Sequence, residues 1–457
     1  MAYPAVSTPA SSYDLFVNPQ WQRLLSVLQM NVRYVQCSGA ELFTEDGRRI
    51  VDFLSGYCVH NAGHNHPAIV EAIKDELDRS GPAMLQSHVP ELAGELAARL
   101  CHRAGGRLRK AFFCSSGSEG VETAIKFARA FTGREGLLYC QGAFHGLTCG
   151  ALSMMGDSFW RANFGPMLSA SQEVPFGEFA PLERHLARRR YAAFFIEPIQ
   201  SEGGVREPTR EYMQTAQALC RKYGTLLVAD EVQTGMYRTG PFLASHRFGI
   251  EPDIAILAKA LSGGLIPVGA ALMSEEVYRS VFDSLRNAIV HASTFSENSI
   301  SMRAGLASLD VLERQRLGEC AYRMGEYLRD KLRSTLAGYE MVEEIRGAGL
   351  LSGIAFAPPK TWRLRVPFEA FRKIHPGMFG QVVVMRLFRD HGFLTQICGN
   401  NFMVLKAAPP LMVTAEQIEA FVTAIHKVIE DAHSSPGFWS EALWMARRVV
   451  NGRQSSR

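Results

Sequence analysis

Between residues 111 and 273, short apolar runs recur, and the stretches between them carry helical periodicity. The runs are 111–114, 136–139, 192–196, 226–229, 254–257 and 268–273. Apolar runs this short, bounded by turn residues, read as buried strands. Their alternation with amphipathic helices marks an open, mostly parallel α/β sheet covered by helices on both faces. In such a sheet, ligands bind beyond the carboxyl ends of the strands. After residue 305 the character changes to two long helical stretches, 301–315 and 320–336, followed by shorter strands, which predicts a smaller α+β domain. Ahead of the sheet, 21–30 has helical spacing, 42–53 reads as a hairpin turning at Glu45-Asp46-Gly47, and a helix starts near Pro67. The expected division is 1–60 (with a Pro/Ser-rich, poorly ordered start, associated with the small domain), 61–305, 306–432 and a tail, 433–457.

The bulk properties narrow the class. A chain of 457 residues exceeds one usual domain, and 47% hydrophobic with 21% charged residues is ordinary for a globular protein. A net charge of +4 makes no case for nucleic acid as a partner. No apolar stretch approaches the roughly 20 residues of a membrane-spanning helix, and the start lacks the pattern of a signal peptide. The nine cysteines show no metal-ligand spacing, so a reducing, cytoplasmic setting without a bound metal is expected.

Within the strand pattern, Lys259 follows the apolar run 254–257 and leads into Ser-Gly-Gly, while Asp230 closes the run 226–229. A lysine desolvated at a strand end is a nucleophile toward carbonyls. With an aspartate at a neighbouring strand end it suits a Schiff-base site for pyridoxal phosphate, the carboxylate pairing with the pyridinium nitrogen. A strand-end lysine in an ordinary α/β fold has the same local sequence, so the pair alone leaves both readings open. In CSSGSEGVETAIKFARA, Gly117 and Ser118 open a helical run and offer backbone N–H groups to an anion, although a plain helix cap accounts for the fragment equally. In GAFHGLT, Phe144 and His145 sit at a strand-to-loop junction, where a ring can stack on a planar cofactor or simply join the core.

Taken in order, SSGSEG, AFHGLT, EPIQSEGG, ADEVQTG, LAKALSGG and HASTF resemble the class III, or ω-, aminotransferase family of fold type I pyridoxal-phosphate enzymes, over residues 40 to 430. The opening LFVNPQWQRLL and the run AFHGLTCGALS look most like putrescine aminotransferases, and LSGYCVHNAGH is similar to ornithine aminotransferases. The resemblance implies a large domain with a seven-stranded-type sheet and a smaller C-terminal one. It implies that Lys259 holds the cofactor and shuttles the substrate proton, and that Asp230 keeps the pyridine nitrogen protonated. Phe144 and Val232 are implied to sandwich the ring, Gln233 to bond its phenolic oxygen, and His145 to stand beside it, where a merely satisfied buried histidine is the other reading. Gly117, Ser118 and Thr294, the last from a partner subunit, are implied to hold the phosphate. That makes the expected assembly a homodimer with shared sites, acting on a small amine donor and a carbonyl acceptor.

The chain departs from the family pattern on the substrate side. Glu202 matches a glutamate that usually pairs with a carboxylate-binding arginine, but the arginine's position, ahead of Pro409-Pro410-Leu411, is Lys406. Lysine lacks the planar fork, so this is not a conservative exchange. Glu297 replaces part of a glycine-rich run and either favours cationic or hydroxylated donors or lies in a surface loop. Tyr57 matches a position that lines the donor pocket in ornithine-type enzymes. The segment 357–381 reads as an unusually long loop. In the tail, Trp439, Leu443, Ala446 and Val450 form a stripe that suits packing on the body or peripheral membrane contact through 437–453. The latter would fit a bulky lipid-like substrate, such as those of aminotransferases that aminate hopanoid side chains. The missing arginine also keeps open an aminomutase or racemase of the same cofactor class. A binding protein without catalysis is opposed by the intact Lys259, Asp230 and Gln233.

Overall fold

A computed structural model describes residues 11–444 except residues 86, 375, 436 and 442. Fifteen strands lie within that span: β1 (Tyr34–Ser38), β2 (Glu41–Thr44), β3 (Arg49–Asp52), β4 (Lys110–Cys114), β5 (Gly136–Cys140), β6 (Ser171–Val174), β7 (Tyr191–Ile196), β8 (Leu226–Asp230), β9 (Ile254–Leu257), β10 (Gly269–Met273), β11 (Val342–Ala348), β12 (Leu351–Phe356), β13 (Phe393–Leu394), β14 (Gln396–Cys398) and β15 (Asn401–Ala407).

The central sheet has seven strands in the order β4-β10-β9-β8-β7-β5-β6. The strands from β9 to β6 pair in parallel, whereas β10 runs antiparallel to both β9 and β4. Apolar cores cover both faces, and the period of two along each strand divides the side chains between them. On β7, Ala193 and Phe195 pack with Val121, Ala124 and Phe127 of the helix Gly117–Thr132. Phe194 and Ile196 face the other way, against Leu182, Leu186, Tyr212 and Ala216. Phe194 and Phe195 are fully buried, so truncating either to alanine would cost about 3–5 kcal/mol.

Two smaller four-stranded sheets complete the chain. One has the order β1-β2-β3-β13, and its last pairing is parallel, Phe393 opposite Val51. The other has the order β11-β12-β15-β14. The helices Ser299–Arg314 and Leu317–Leu336 form where the periodicity predicts them.

Two expectations are corrected. The segment 357–381 is not a long loop: Trp362–Ile374 is helical despite Pro367, and a second helix starts at Met378. Phe368 and Phe371 are buried and anchor that helix to the core. The strand β6 was not expected at all, because SQEV has no apolar run; at the sheet's edge only Val174 is fully buried. In the tail, Phe438 is buried, Trp439 stacks on Phe371 at 5.6 Å, and Glu441 pairs with Arg386 and Arg389. Of the stripe, Trp439 packs on the body while Leu443 is exposed; Ala446, Val450 and the rest of 445–457 lie outside the described residues.

Candidate functional site

The parallel strands β8 and β9 end side by side, Asp230 opposite Ile256, and Lys259 follows β9 after one linking residue, Ala258. Both open on a cavity of about 440 Å³ at the strands' carboxyl ends. Its wall also carries Ser115 to Ser118, Phe144, His145, Glu197, Val232 and Gln233. Chain separation is large, but the parallel register brings these side chains to one edge.

Lys259 has φ +48°, a left-handed conformation that costs a non-glycine residue about 1–2 kcal/mol. The turn is held by Gly263, also left-handed at φ +66°, and by Ser308 Oγ, which donates to Ala260 O at 2.9 Å. The strain aims the lysine out of the strand line into the cavity. Burial lowers its pKa, opposed mainly by Cys58 and Glu202. A neutral, nucleophilic amine is therefore more accessible than on a solvated lysine.

Asp230 is buried; its Oδ2 lies 2.8 Å from His145 Nδ1 and its Oδ1 accepts the Val232 N–H at 3.1 Å. Burial alone would lower the His145 imidazole, but the bond and charge of Asp230 outweigh it and raise the pKa. His145 Nε2 is buried and lacks a partner among the described residues. Beside this pair, burial pushes the Glu197 carboxyl up to about 8, against the lowering influence of His145. Glu197 Oε1 accepts the Phe144 N–H at 3.0 Å and so fixes the backbone that carries the ring.

At the opposite end, the helix Gly117–Thr132 points its N-terminus at the cavity, capped by Ser116, whose Oγ accepts the Glu119 N–H at 3.2 Å. Gly117 has no room for a side chain: a Cβ there would stand 2.9 Å from Val232 Cγ2. Free N–H groups at this end suit a phosphate, and Val232 and Phe144 supply apolar surface for a flat ring. A buried carboxylate, a desolvated lysine and an anion-binding helix start around one cavity match the donor set of pyridoxal phosphate, and the residues present fit it.

The substrate-side residues cluster separately. Lys406 and Glu202, both buried, form an ion pair; Glu202 also accepts Gln233 Nε2 at 3.1 Å and the Gly399 N–H at 2.8 Å. Burial opposes both charges, yet each stays ionised because of the other: Glu202 is held low and Lys406 high. Lys406 Nζ also lies 4.9 Å from the Tyr57 ring centroid, and Tyr57 is held in a left-handed turn at φ +62°. Gln233 has its carbonyl engaged by Ser201 Oγ at 2.9 Å. Thr294 does not reach this cavity: it lines another, with Met84, His291 and Glu297.

Three contributors escaped sequence reasoning. Glu197 and Ser201 stand inside EPIQSEGG, where only Glu202 drew notice, and Asn400 holds Trp160 Nε1 at 2.8 Å. Residues 197–202 are all buried, so no alternation marks Glu197; the signal that could have flagged it is a carboxylate directly after the apolar run 192–196.

The Aminotransferase class-III family model matches residues 25–429, and the chain belongs to that family of pyridoxal-phosphate enzymes. A curated relative, Aminotransferase PigE of Serratia sp. (strain ATCC 39006), is 36% identical over 459 residues, covering 94% of this chain. The chain spans about half the length of that relative, 54%. Among solved structures, the ornithine aminotransferase of Toxoplasma gondii ME49 superposes with a TM-score of 0.78 at 28% identity, covering 88% of this chain and 91% of that one. Acetylornithine aminotransferase from Elizabethkingia anophelis gives 0.70 at 28%, covering 88% and 94%. The expected fold, family and cofactor are borne out.

Proposed function

We propose that the chain moves an amino group between a terminal primary amine and a keto acid or aldehyde, with pyridoxal phosphate on Lys259. The observation that carries this reading is the convergence of Lys259 and Asp230, at adjacent strand ends, on a cavity closed by a helix N-terminus. Bound there, the cofactor supplies a carbonyl carbon that exchanges amines and a ring that accepts electrons. Lys259 then holds the cofactor and moves the proton at the substrate carbon. Asp230, oriented by His145, keeps a proton on the ring nitrogen. Phe144 and Val232 fix the ring plane, Gln233 reaches the phenolic oxygen, and Gly117 with Ser118 binds the phosphate. Tyr57, Glu202 and Lys406 line the substrate side.

A half-reaction screen tests this. The cofactor-loaded protein is mixed with diamines, ω-amino acids, amino sugars and long-chain amines, and its visible band is followed. Loss of the band with a subset of amines and release of the matching carbonyl product is the expected result; a band that no amine moves sinks the reading. Return of an isomerised amine with no carbonyl product would favour an aminomutase.

The absence of Thr294 from this cavity supports a homodimer in which Thr294 of the partner subunit completes the phosphate site. Mixing the inactive variants Lys259→Ala and Thr294→Ala should restore activity in heterodimers, and no recovery counts against shared sites. The nine free cysteines fit a cytoplasmic setting. The proposed working division keeps the cofactor site in 61–305, with 1–60 and 306–432 forming the smaller unit and 433–457 a tail.

A further inference from the structure

We propose that Trp160, held by Asn400, is a specificity-determining wall that selects substrates carrying the reacting amine or carbonyl on an unbranched apolar chain. The proposal rests on the aminotransferase reading above. Trp160 sits on the short helix Ser158–Arg161, and its indole N–H donates to Asn400 Oδ1 at 2.8 Å. Asn400 is itself fixed to the site: its side chain donates to Ala143 O at 2.9 Å, and its backbone N–H donates to Glu202 O at 2.9 Å. One asparagine therefore locks the indole to the residue before Phe144 and to the Glu202 backbone.

The ring borders the cofactor cavity through Phe144. It stands edge-on to Phe144, centroids 5.6 Å apart at 88°, and Phe144 lines the cofactor cavity. A Cβ on Gly399 would lie 3.5 Å from Trp160 Cζ2 and 3.2 Å from Glu202 Oε2, so the indole and the carboxylate flank the same glycine. Outward from Trp160 comes Phe159, centroids 5.4 Å apart, with 70% of its surface exposed. Phenylalanines at such exposure contribute little to the core, and a line of rings running from cavity to surface is the kind of apolar patch that marks a binding site.

The charges nearby exclude the other simple choice. Lys406 is committed to Glu202, and Arg161, next to Trp160, turns away to Tyr139 Oη at 3.4 Å. A carboxylate on the chain would find rings and a neutralised pair, whereas methylenes would find contact area. Burying a methylene gains about 0.8 kcal/mol, which is about fourfold in binding or in rate over KM.

The test uses the cofactor-loaded protein and straight-chain primary amines from n-propylamine to n-octylamine, followed through the visible band in single turnover. The non-reactive n-alkanols of the same lengths are measured by calorimetry as a binding readout. In the unaltered protein both series should improve by about two- to fourfold per methylene. Trp160→Ala should flatten that slope, while Trp160→Phe, which keeps a ring but loses the indole N–H, should retain at least half of it. Phe159→Ala, at an exposed position that cannot unfold the protein, should lower the gain for heptyl and octyl chains only. A uniform loss across all lengths in Trp160→Ala, with an unchanged slope, overturns the proposal. If no amine reacts, the aminotransferase reading fails by itself, and the alkanol slope still judges the wall.

Discussion

Replacing Lys406 with methionine keeps the buried stem and volume but removes the ammonium, leaving Glu202 charged in a dry site. Breaking a buried pair by removing one partner costs about 3–5 kcal/mol. Two donors remain to Glu202, Gln233 Nε2 and the Gly399 N–H, so the lower end, about 3 kcal/mol, is expected at pH 7. The double change Lys406→Met/Glu202→Gln removes both charges. Because Gln233 Nε2 donates to Oε1 and the Gly399 N–H to Oε2, the single amide oxygen keeps one of these bonds, and the loss of the other costs about 1 kcal/mol. It should therefore lie within about 1 kcal/mol of the unaltered protein, giving a coupling of at least about 2 kcal/mol in the double-mutant cycle. The assay is urea denaturation of the cofactor-free protein for all four forms. The sign with pH follows from the directions of the shifts. Glu202 is depressed, so its share is present above the unfolded value of about 4.3 and lost as pH falls through the folded one. Lys406 is raised, so its share is full below about 10.4 and lost as pH rises through its folded value. The deficit of Lys406→Met should thus shrink on acidification, as Glu202 takes up a proton. Additive single effects, or a deficit flat between pH 4 and 7, would refute the reasoning.

Lys259→Ala should bind the cofactor without a covalent link, so borohydride reduction followed by intact mass adds the cofactor to the unaltered chain and not to the variant. Gly117→Ala should weaken cofactor binding at least about tenfold, since its methyl would sit 2.9 Å from Val232 Cγ2, and adding Val232→Ala should recover only part of it, because the ring then loses the Val232 contact, read by fluorescence titration. Glu197, raised to about 8, stays protonated in the folded protein while the unfolded chain ionises above about 4.3. The unfolded state then binds fewer protons, so stability falls with rising pH, by about 1.4 kcal/mol per unit in that window. Glu197→Gln should flatten that fall in the pH dependence of the cofactor-free melting temperature; an unchanged profile contradicts a protonated Glu197.

The sheet was legible because its strands are buried on both faces and read as unbroken apolar runs; 254–257 matches β9 residue for residue. β6 was not, because an edge strand has less apolar surface to bury and leaves a weaker pattern in the sequence. The antiparallel direction of β10 was equally hidden, since an apolar run carries no sign of its direction. The helix Trp362–Ile374 was hidden by Pro367, whose local rule favours a break, while the burial of Phe368 and Phe371 decides the outcome. On the site side, Lys259, Asp230 and Gly117 converge as motif order implied, whereas Glu197, Ser201 and Asn400 act through tertiary partners hundreds of positions or whole strands away, which no local spacing encodes.

The parallel pairing of Phe393 with Val51 has a consequence for how the chain is made. Synthesis delivers β1 to β3 first, and their open edge waits until nearly the whole polypeptide has emerged before β13 can close it. At about 5–20 residues per second, that interval is tens of seconds, during which an unpaired strand edge is available to other chains. Early interruption of translation, or truncation before residue 393, should therefore yield aggregates rather than a smaller folded core, and this vulnerability is set by the order in which the sheet is completed.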